Sequence, residues 1–420
     1  MTATVHRLPN GVRVVCDPMP GLESVALSVV FRGGARWESE ATNGWSHLLE
    51  HMVFKGAGDR SALDIVEAIE AGGGNINAAT GYERTSFQVR CLPEALPLAM
   101  EVLADLARRP TLDAGDLERE IQVIGQEIAE AADTPDDRVF DLAQSRAFAG
   151  QSLGRPILGT DAHIGAAAVD GLRAFHAGLY ACDRLVVSAA GAVDEGSLLK
   201  LAEAAFGDAT PPASSLPEPR PAHFLGGGAV EARRLEQAQL VVLLPGVAAR
   251  DRDYFAMRLF AEILGGGMSS RLFQEVRERR GLAYAIDAYA EHYEDVGVVG
   301  VYAGAAAGDT ARTAELTARE IGKLAARVEP AELARAKAQA KAGLFMGREA
   351  PLNRAEQAAG QLFLFDRLIP PSELAAGVDA VTPADIARCG ERVLSGPHAV
   401  AVLGPKKAGD AVTAFERALS

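Results

Sequence analysis

The residues that most need a chemical explanation lie in "NGWSHLLEHMVFKGAGDR", Asn43 to Arg60, where His47, Glu50 and His51 interrupt an otherwise apolar run. With residues 43–56 read as a helix of about 100° per residue, these three and Phe54 share one face. Leu48, Leu49, Met52 and Val53 occupy the remaining faces, so the helix is expected to be buried. Ionisable groups in such a place are costly unless each finds a partner. Two histidines one turn apart can share one metal ion, and zinc accepts imidazole nitrogen at about 2.0–2.1 Å. Glu50 would stand beside that metal, better placed to hold its water than to ligate it.

A zinc site of this kind lacks an anionic ligand, and buried acid is the thing to look for. In "DLEREIQVIGQEIAEAAD" the residues Leu117, Ile121, Ile124 and Ile128 form a helical apolar stripe. Glu120 and Glu127, seven residues apart, run along its edge, whereas Glu118, Arg119 and Glu130 read as a solvated face. Carboxylates flanking a core-facing stripe need a cation or hydrogen-bond donors. Beside a two-histidine site, they are candidates to complete it.

The elements that must position these groups come from a 420-residue chain, long enough for two domains. Hydrophobic residues make up 48 % and charged residues 23 %, an ordinary globular composition. A net charge of −14 argues against nucleic acid or an anionic membrane as partner. The four cysteines, Cys16, Cys91, Cys182 and Cys389, have no metal-binding or disulfide spacing. No apolar signal opens the chain and no stretch is apolar for the roughly 18 residues a span needs, so a cytoplasmic protein is expected.

Proline, serine and glycine crowd residues 208–230, which read as a linker between domains at 1–207 and 231–420. The halves look related. "SALDIVEAIEAGGGNINAATGYERTSFQVR" and "SRLFQEVRERRGLAYAIDAYAEHYEDVGVVGVYAG" both run helix, glycine turn, strand, with Gly74 against Gly281. Both halves open on β-rich runs, "SVALSVVFRGG" and "AQLVVLLPGV", and both close on long helical stretches. The expected fold class is therefore α+β: two homologous domains, each a largely antiparallel sheet with helices packed on one face.

The H-x-x-E-H pattern at His47–His51 resembles the inverzincin signature. The surrounding "GGARWESEATNGWSHLLEHMVFKGAGDR…NINAATGYERTSF", with "EREIQVIGQEI", "LGRPILGT" and "GGGMSSRLFQEVRERRGLAYAI", resembles the family of pitrilysin, insulin-degrading enzyme and mitochondrial processing peptidase. That resemblance implies half of a peptidase clamshell, one Zn²⁺ per chain, and His47, His51 and Glu127 as its ligands. It places the third ligand 76 residues after the second histidine, at Glu127, and implies Glu50 as the catalytic base and Glu120 as its catalytic support. It also implies that Asn77 and Ala78 receive peptide substrates as an added strand, and that Arg277 and Tyr284 contact substrate. Without the resemblance, Arg277 would read as a solvated charge and Tyr284 as core. The second half carries neither the histidine pair nor the glutamates. The match departs from the common pattern at Trp45-Ser46, at Phe87 and in "LYACDRLVV", none of which removes a group the chemistry needs.

Family members of one chain close four such domains around the substrate, and this chain has two. The resemblance thus implies a homodimer in which the Arg/Tyr pair acts in trans, enclosing a chamber for short or unfolded peptides. The alternatives are an obligate heterodimer and a non-catalytic subunit of a peptidase-like complex.

Overall fold

The computed structural model describes residues 3–211 and 216–419. Residues 212–215 of the expected linker lie outside the described residues, and the end of that segment is already a strand, Gly227–Ala232. In chain order the strands of the first half are β1 (Thr4–Arg7), β2 (Arg13–Pro18), β3 (Val25–Arg32), the short ribbon β4 (Gly56–Ala57) and β5 (Arg60–Ser61), β6 (Asn75–Thr80), β7 (Arg84–Cys91) and β8 (Leu185–Gly191). Those of the second half are β9 (Gly227–Ala232), β10 (Gln237–Pro245), β11 (Ala283–His292), β12 (Gly297–Ala306) and β13 (Ala399–Gly404).

The first sheet has the order β1-β2-β8-β3-β7-β6, and the second β11-β12-β10-β13-β9. Matching β6, β7, β3, β8 and β2 with β11, β12, β10, β13 and β9 superposes the two orders strand for strand. Even the single parallel pair of each sheet corresponds, β2 with β8 and β9 with β13, while all other pairings are antiparallel. The internal repeat is thus a repeat of topology, and the α+β class with two related, largely antiparallel sheets is the architecture.

The compact units are not the contiguous halves expected from the linker. One comprises Met1–Ile128, Pro156–Pro219 and Met346–Ile369; the other Ala129–Arg155, Arg220–Phe345 and Pro370–Ser420. Each unit therefore contains a helix from the opposite half of the chain. The reason is hydrophobic. In β3, Leu27, Val29 and Phe31 face the main core, but Val30 points the other way, as do Val15 of β2 and Val186 of β8. Helix Pro351–Phe365 covers them with Ala358, Ala359, Leu362 and Phe363. In the second unit, helix Pro135–Ala147 packs on β9, β10 and β13, and its Phe140 stacks on Tyr302 of β12. Helices cover the main core face of each sheet, and one exchanged helix adds cover on the opposite face. Strands buried on both faces read as continuous apolar runs, as "VALSVVF" does.

Candidate functional site

The histidine helix runs Trp45–Val53, shorter than the expected 43–56. Gly44 at its start has φ +89°, and a Cβ there would come within 2.6 Å of the Leu158 carbonyl oxygen, so glycine is required. The first turn is capped from outside the helix. Glu38, 5 % exposed, accepts hydrogen bonds from the Ser46 N–H (2.8 Å), the Gly44 N–H (2.9 Å) and the Asn43 amide (3.2 Å). A carboxylate here satisfies orphan donors and complements the helix dipole. Leu48, Leu49, Met52 and Val53 are fully buried, while His47, Glu50 and His51 are only partly so. One face of the helix is core and the other opens on the site.

Helix Ala114–Asp133 supplies the facing acids. Ile124 and Leu117 are buried, as the stripe requires, and Glu118, Arg119 and Glu130 are exposed. His47 Nε2 lies 3.9 Å and His51 Nε2 3.6 Å from Glu127 Oε2, and one donor atom from each residue falls within 4.8 Å of the others. Four ligands at about 2.0–2.2 Å in a tetrahedron stand roughly 3.3–3.6 Å apart, so this donor set fits zinc in chemistry, with a spacing somewhat wider than that of a coordinated site. Among the described residues it is the one such cluster. Burial first, and His51 second, push the His47 imidazole down to about 4, which keeps it neutral and able to ligate near pH 7.

Glu120 is not a ligand in this arrangement. Its side chain is 6 % exposed, with Oε2 3.0 Å from His51 Nδ1 and Oε1 2.7 Å from Lys55 Nζ. A carboxylate on Nδ1 fixes the ring and leaves Nε2 free to face Glu127. His47 Nδ1, by contrast, is buried with no hydrogen-bond partner among the described residues.

Glu50 stands apart from the donor cluster. The Thr80 hydroxyl donates to its Oε2 at 2.5 Å. Burial raises the Glu50 carboxyl above its ordinary range, opposed by the Thr80 hydrogen bond and by His51. Thr80 closes β6, which is the edge strand of the first sheet and alternates exposed with half-buried residues. Asn77 and Ala78 lie on this same strand, paired on one side only, to Gln88 and Phe87 of β7. The open side of β6 presents backbone groups to any extended chain.

Arg277 and Tyr284 come together in the second unit. Arg277 lies in a turn of π-helix, Phe273–Glu278, with its guanidinium 4.7 Å from the Phe273 ring centre and 5.8 Å from that of Tyr284. Tyr284 is 78 % exposed, so it is not core. The strand register slips between Ala283 and Ala285, and the bulge turns the Tyr284 ring outward. Bulges of this kind recur beside functional sites, and no residue pattern in "GLAYAI" announces one.

Three site residues escaped the sequence reading. They are Lys55, Thr80 and Glu38, none of which carries a distinguishing spacing in the sequence. Each is recognisable only by its long-range partner, 65, 30 and 8 residues away respectively.

Comparison with known proteins follows the same two-part layout. Residues 13–161 match the insulinase family model, peptidase family M16, and residues 167–340 match the peptidase M16 inactive domain. An uncharacterised zinc protease of Rickettsia bellii is 35 % identical over 402 residues, covering 96 % of this chain and 97 % of that protein. The chain belongs to peptidase family M16. A further uncharacterised zinc protease, from Streptomyces coelicolor, is 37 % identical and covers 96 % of this chain and 90 % of its own. A crystal structure of a protease from Helicobacter pylori shares the fold with a TM-score of 0.89 at 20 % identity, over 96 % of this chain and 99 % of that one. A chain of complex III from Candida albicans does so at 0.86 and 22 %, over 99 % and 98 %. This M16 chain keeps its donor cluster within the insulinase match, and the inactive-domain match covers Arg277 and Tyr284.

Proposed function

We propose that this chain is a zinc-dependent endopeptidase acting on short or unfolded peptides. The observation that carries the reading is a separation of roles: His47 and His51 converge with Glu127 of the facing helix, while Glu50, from the same face as the histidines, stands off that cluster against Thr80. The M16 relatives carrying the name zinc protease support the same class.

His47, His51 and Glu127 would hold the metal. Bound zinc supplies Lewis-acid polarisation of a scissile carbonyl and lowers the pKa of water. Glu50 takes the proton from the attacking water and returns it to the leaving amine, a task suited to a carboxyl whose affinity for protons burial has raised. Glu120 holds the His51 ring in the ligating tautomer. The open edge of β6 at Asn77 and Ala78 pairs with substrate backbone, which selects extended chain over folded protein.

Arg277 and Tyr284 would steady the substrate carbonyl as negative charge develops on it. The exposed Tyr284 ring supports an assembly in which a second copy of this chain offers the pair in trans. A homodimer then has two sites, one Zn²⁺ in each chain, and a chamber between copies.

The test is hydrolysis of an unstructured peptide by the wild type and by Glu50→Gln, with zinc content measured on both. Equal zinc and a loss of roughly 10²–10⁴-fold in turnover support the base role. Zinc in both with no cleavage by either, across a diverse peptide pool, would reject the stand-alone enzyme and leave a subunit that waits for another chain.

A further inference from the structure

We infer that Thr80 is a positioning residue for the base, locking Glu50 to the same strand that receives the substrate. This rests on the reading of Glu50 as the base. The hydroxyl of Thr80 holds Glu50 Oε2 at 2.5 Å, and the Thr80 backbone also hydrogen-bonds the same carboxylate. Glu50 projects from the histidine helix, which makes no backbone-to-backbone hydrogen bond to β6 among the described residues, so Thr80 is what ties its carboxylate to the edge.

Thr80 is itself held from behind. The turn after it closes with the Gly81 N–H donating to the Arg84 carbonyl at 2.8 Å. The segment leading to the histidine helix then clamps that turn: Gly33, Ala35 and Arg36 donate their N–H groups to the Glu83, Gly81 and Tyr82 carbonyls at 3.0, 3.1 and 2.9 Å. Buried Arg36 pairs with the half-buried Glu83 at 2.5 Å. Gly34 is required for this approach, because a Cβ there would meet the Gly81 carbonyl oxygen at 2.2 Å. The same segment ends at Glu38, which caps the histidine helix.

A closed circuit results: helix start, Glu38, clamp, turn, Thr80, Glu50 and back to the helix. Ala78 lies two residues before Thr80, about 7 Å along the strand. The base and the docking edge therefore move as one body, and a peptide seated in register on β6 meets a carboxylate already aimed. Such pre-organisation acts on turnover rather than on binding.

The experiment compares wild type, Thr80→Val and Thr80→Ser on an unstructured peptide of 20–30 residues, with zinc content and thermal unfolding of each. Thr80→Val keeps the β-branched shape and the backbone hydrogen bond and removes only the hydroxyl donor. Expected is a fall in kcat of roughly 10- to 100-fold, the range for losing one hydrogen bond to a charged group, with KM within twofold and zinc unchanged. Thr80→Ser should return most of the rate. A raised KM at unchanged kcat would make Thr80 an edge contact only and overturn the inference, as would no effect at all. Should Thr80→Val not fold, Thr80→Ala against Thr80→Ser makes the same comparison. Wild type that cleaves nothing rejects the stand-alone enzyme and this inference with it; wild type that cleaves beside an equally active Thr80→Val refutes this inference alone.

Discussion

Lys55→Met should weaken zinc binding without touching a ligand. The Lys55 ammonium sits 2.7 Å from Glu120 Oε1, and the other Glu120 oxygen holds His51 Nδ1 at 3.0 Å. Methionine keeps the length of the side chain and removes its charge, leaving a carboxylate 6 % exposed with one partner instead of two. Breaking a fully buried pair costs about 3–5 kcal/mol, but Lys55 is one-third exposed, so water replaces part of the loss. A cost of about 1–2 kcal/mol to the metal-free fold follows. The effect on zinc has a separate origin: Glu120 no longer anchored swings on its helix, and the His51 ring loses its fixed tautomer. Partners of this kind typically change metal affinity by about 10- to 100-fold, or about 1.4–2.7 kcal/mol. Competition with a chromogenic chelator reads the affinity, and thermal unfolding with and without zinc reads the fold. Lys55→Arg should stay near wild type on both. Affinity within twofold of wild type in Lys55→Met, beside a lowered unfolding temperature, would refute the relay and leave Lys55 as scaffold.

Mixed Glu50→Gln and Arg277→Ala chains, each inactive alone, should recover part of the activity as subunits exchange; no recovery despite demonstrated exchange would reject action in trans. Leu362→Ala, 2 % exposed under the first sheet, should cost about 2–4 kcal/mol in urea unfolding, and a surface-like loss below 0.5 kcal/mol would mean that helix Pro351–Phe365 is not part of that core. Acid should destabilise the metal-free protein through His176, whose imidazole burial pushes down to about 4 while it bonds to the Ala107 carbonyl. The sign is set by the unfolded chain, which binds a proton near pH 6.5 that the folded chain refuses until about 4, so stability falls as pH drops through that window. His176→Gln should flatten this part of the stability-against-pH curve, and an unchanged slope would show that other groups carry it.

Much of the candidate site is local, and local means legible. His47, Glu50 and His51 share a face because three- and four-residue spacing is the helical repeat, whatever the rest of the chain does. Glu120 and Glu127 are marked by the stripe of Leu117, Ile121, Ile124 and Ile128 beside them. What spacing could not do was assign their roles: both are acids on one stripe edge. The geometry separates them, placing Glu127 against both imidazole Nε2 atoms and Glu120 against one Nδ1. Tyr284 went the other way. In an alternating strand it reads as core, but the register slip at Ala283–Ala285 exposes it, and a bulge follows from pairing with β12 rather than from its own neighbours.

The amino-acid order alone determined whatever depends on short spacing: the two histidines and glutamate on one helix, the carboxylates a heptad apart, the strand at Asn75–Thr80, and the repeat of one α+β unit. Tertiary structure decided everything that joins distant positions. Val15, Val30 and Val186 need cover on a second sheet face, and a helix some 160 residues beyond the last of them provides it, so compact units replace contiguous halves. Lys55 meets Glu120 and Thr80 meets Glu50 for a similar reason. Burial removes water from the Glu120 and Glu50 carboxylates, and each then takes the donor that packing brings within reach, not the one nearest along the chain.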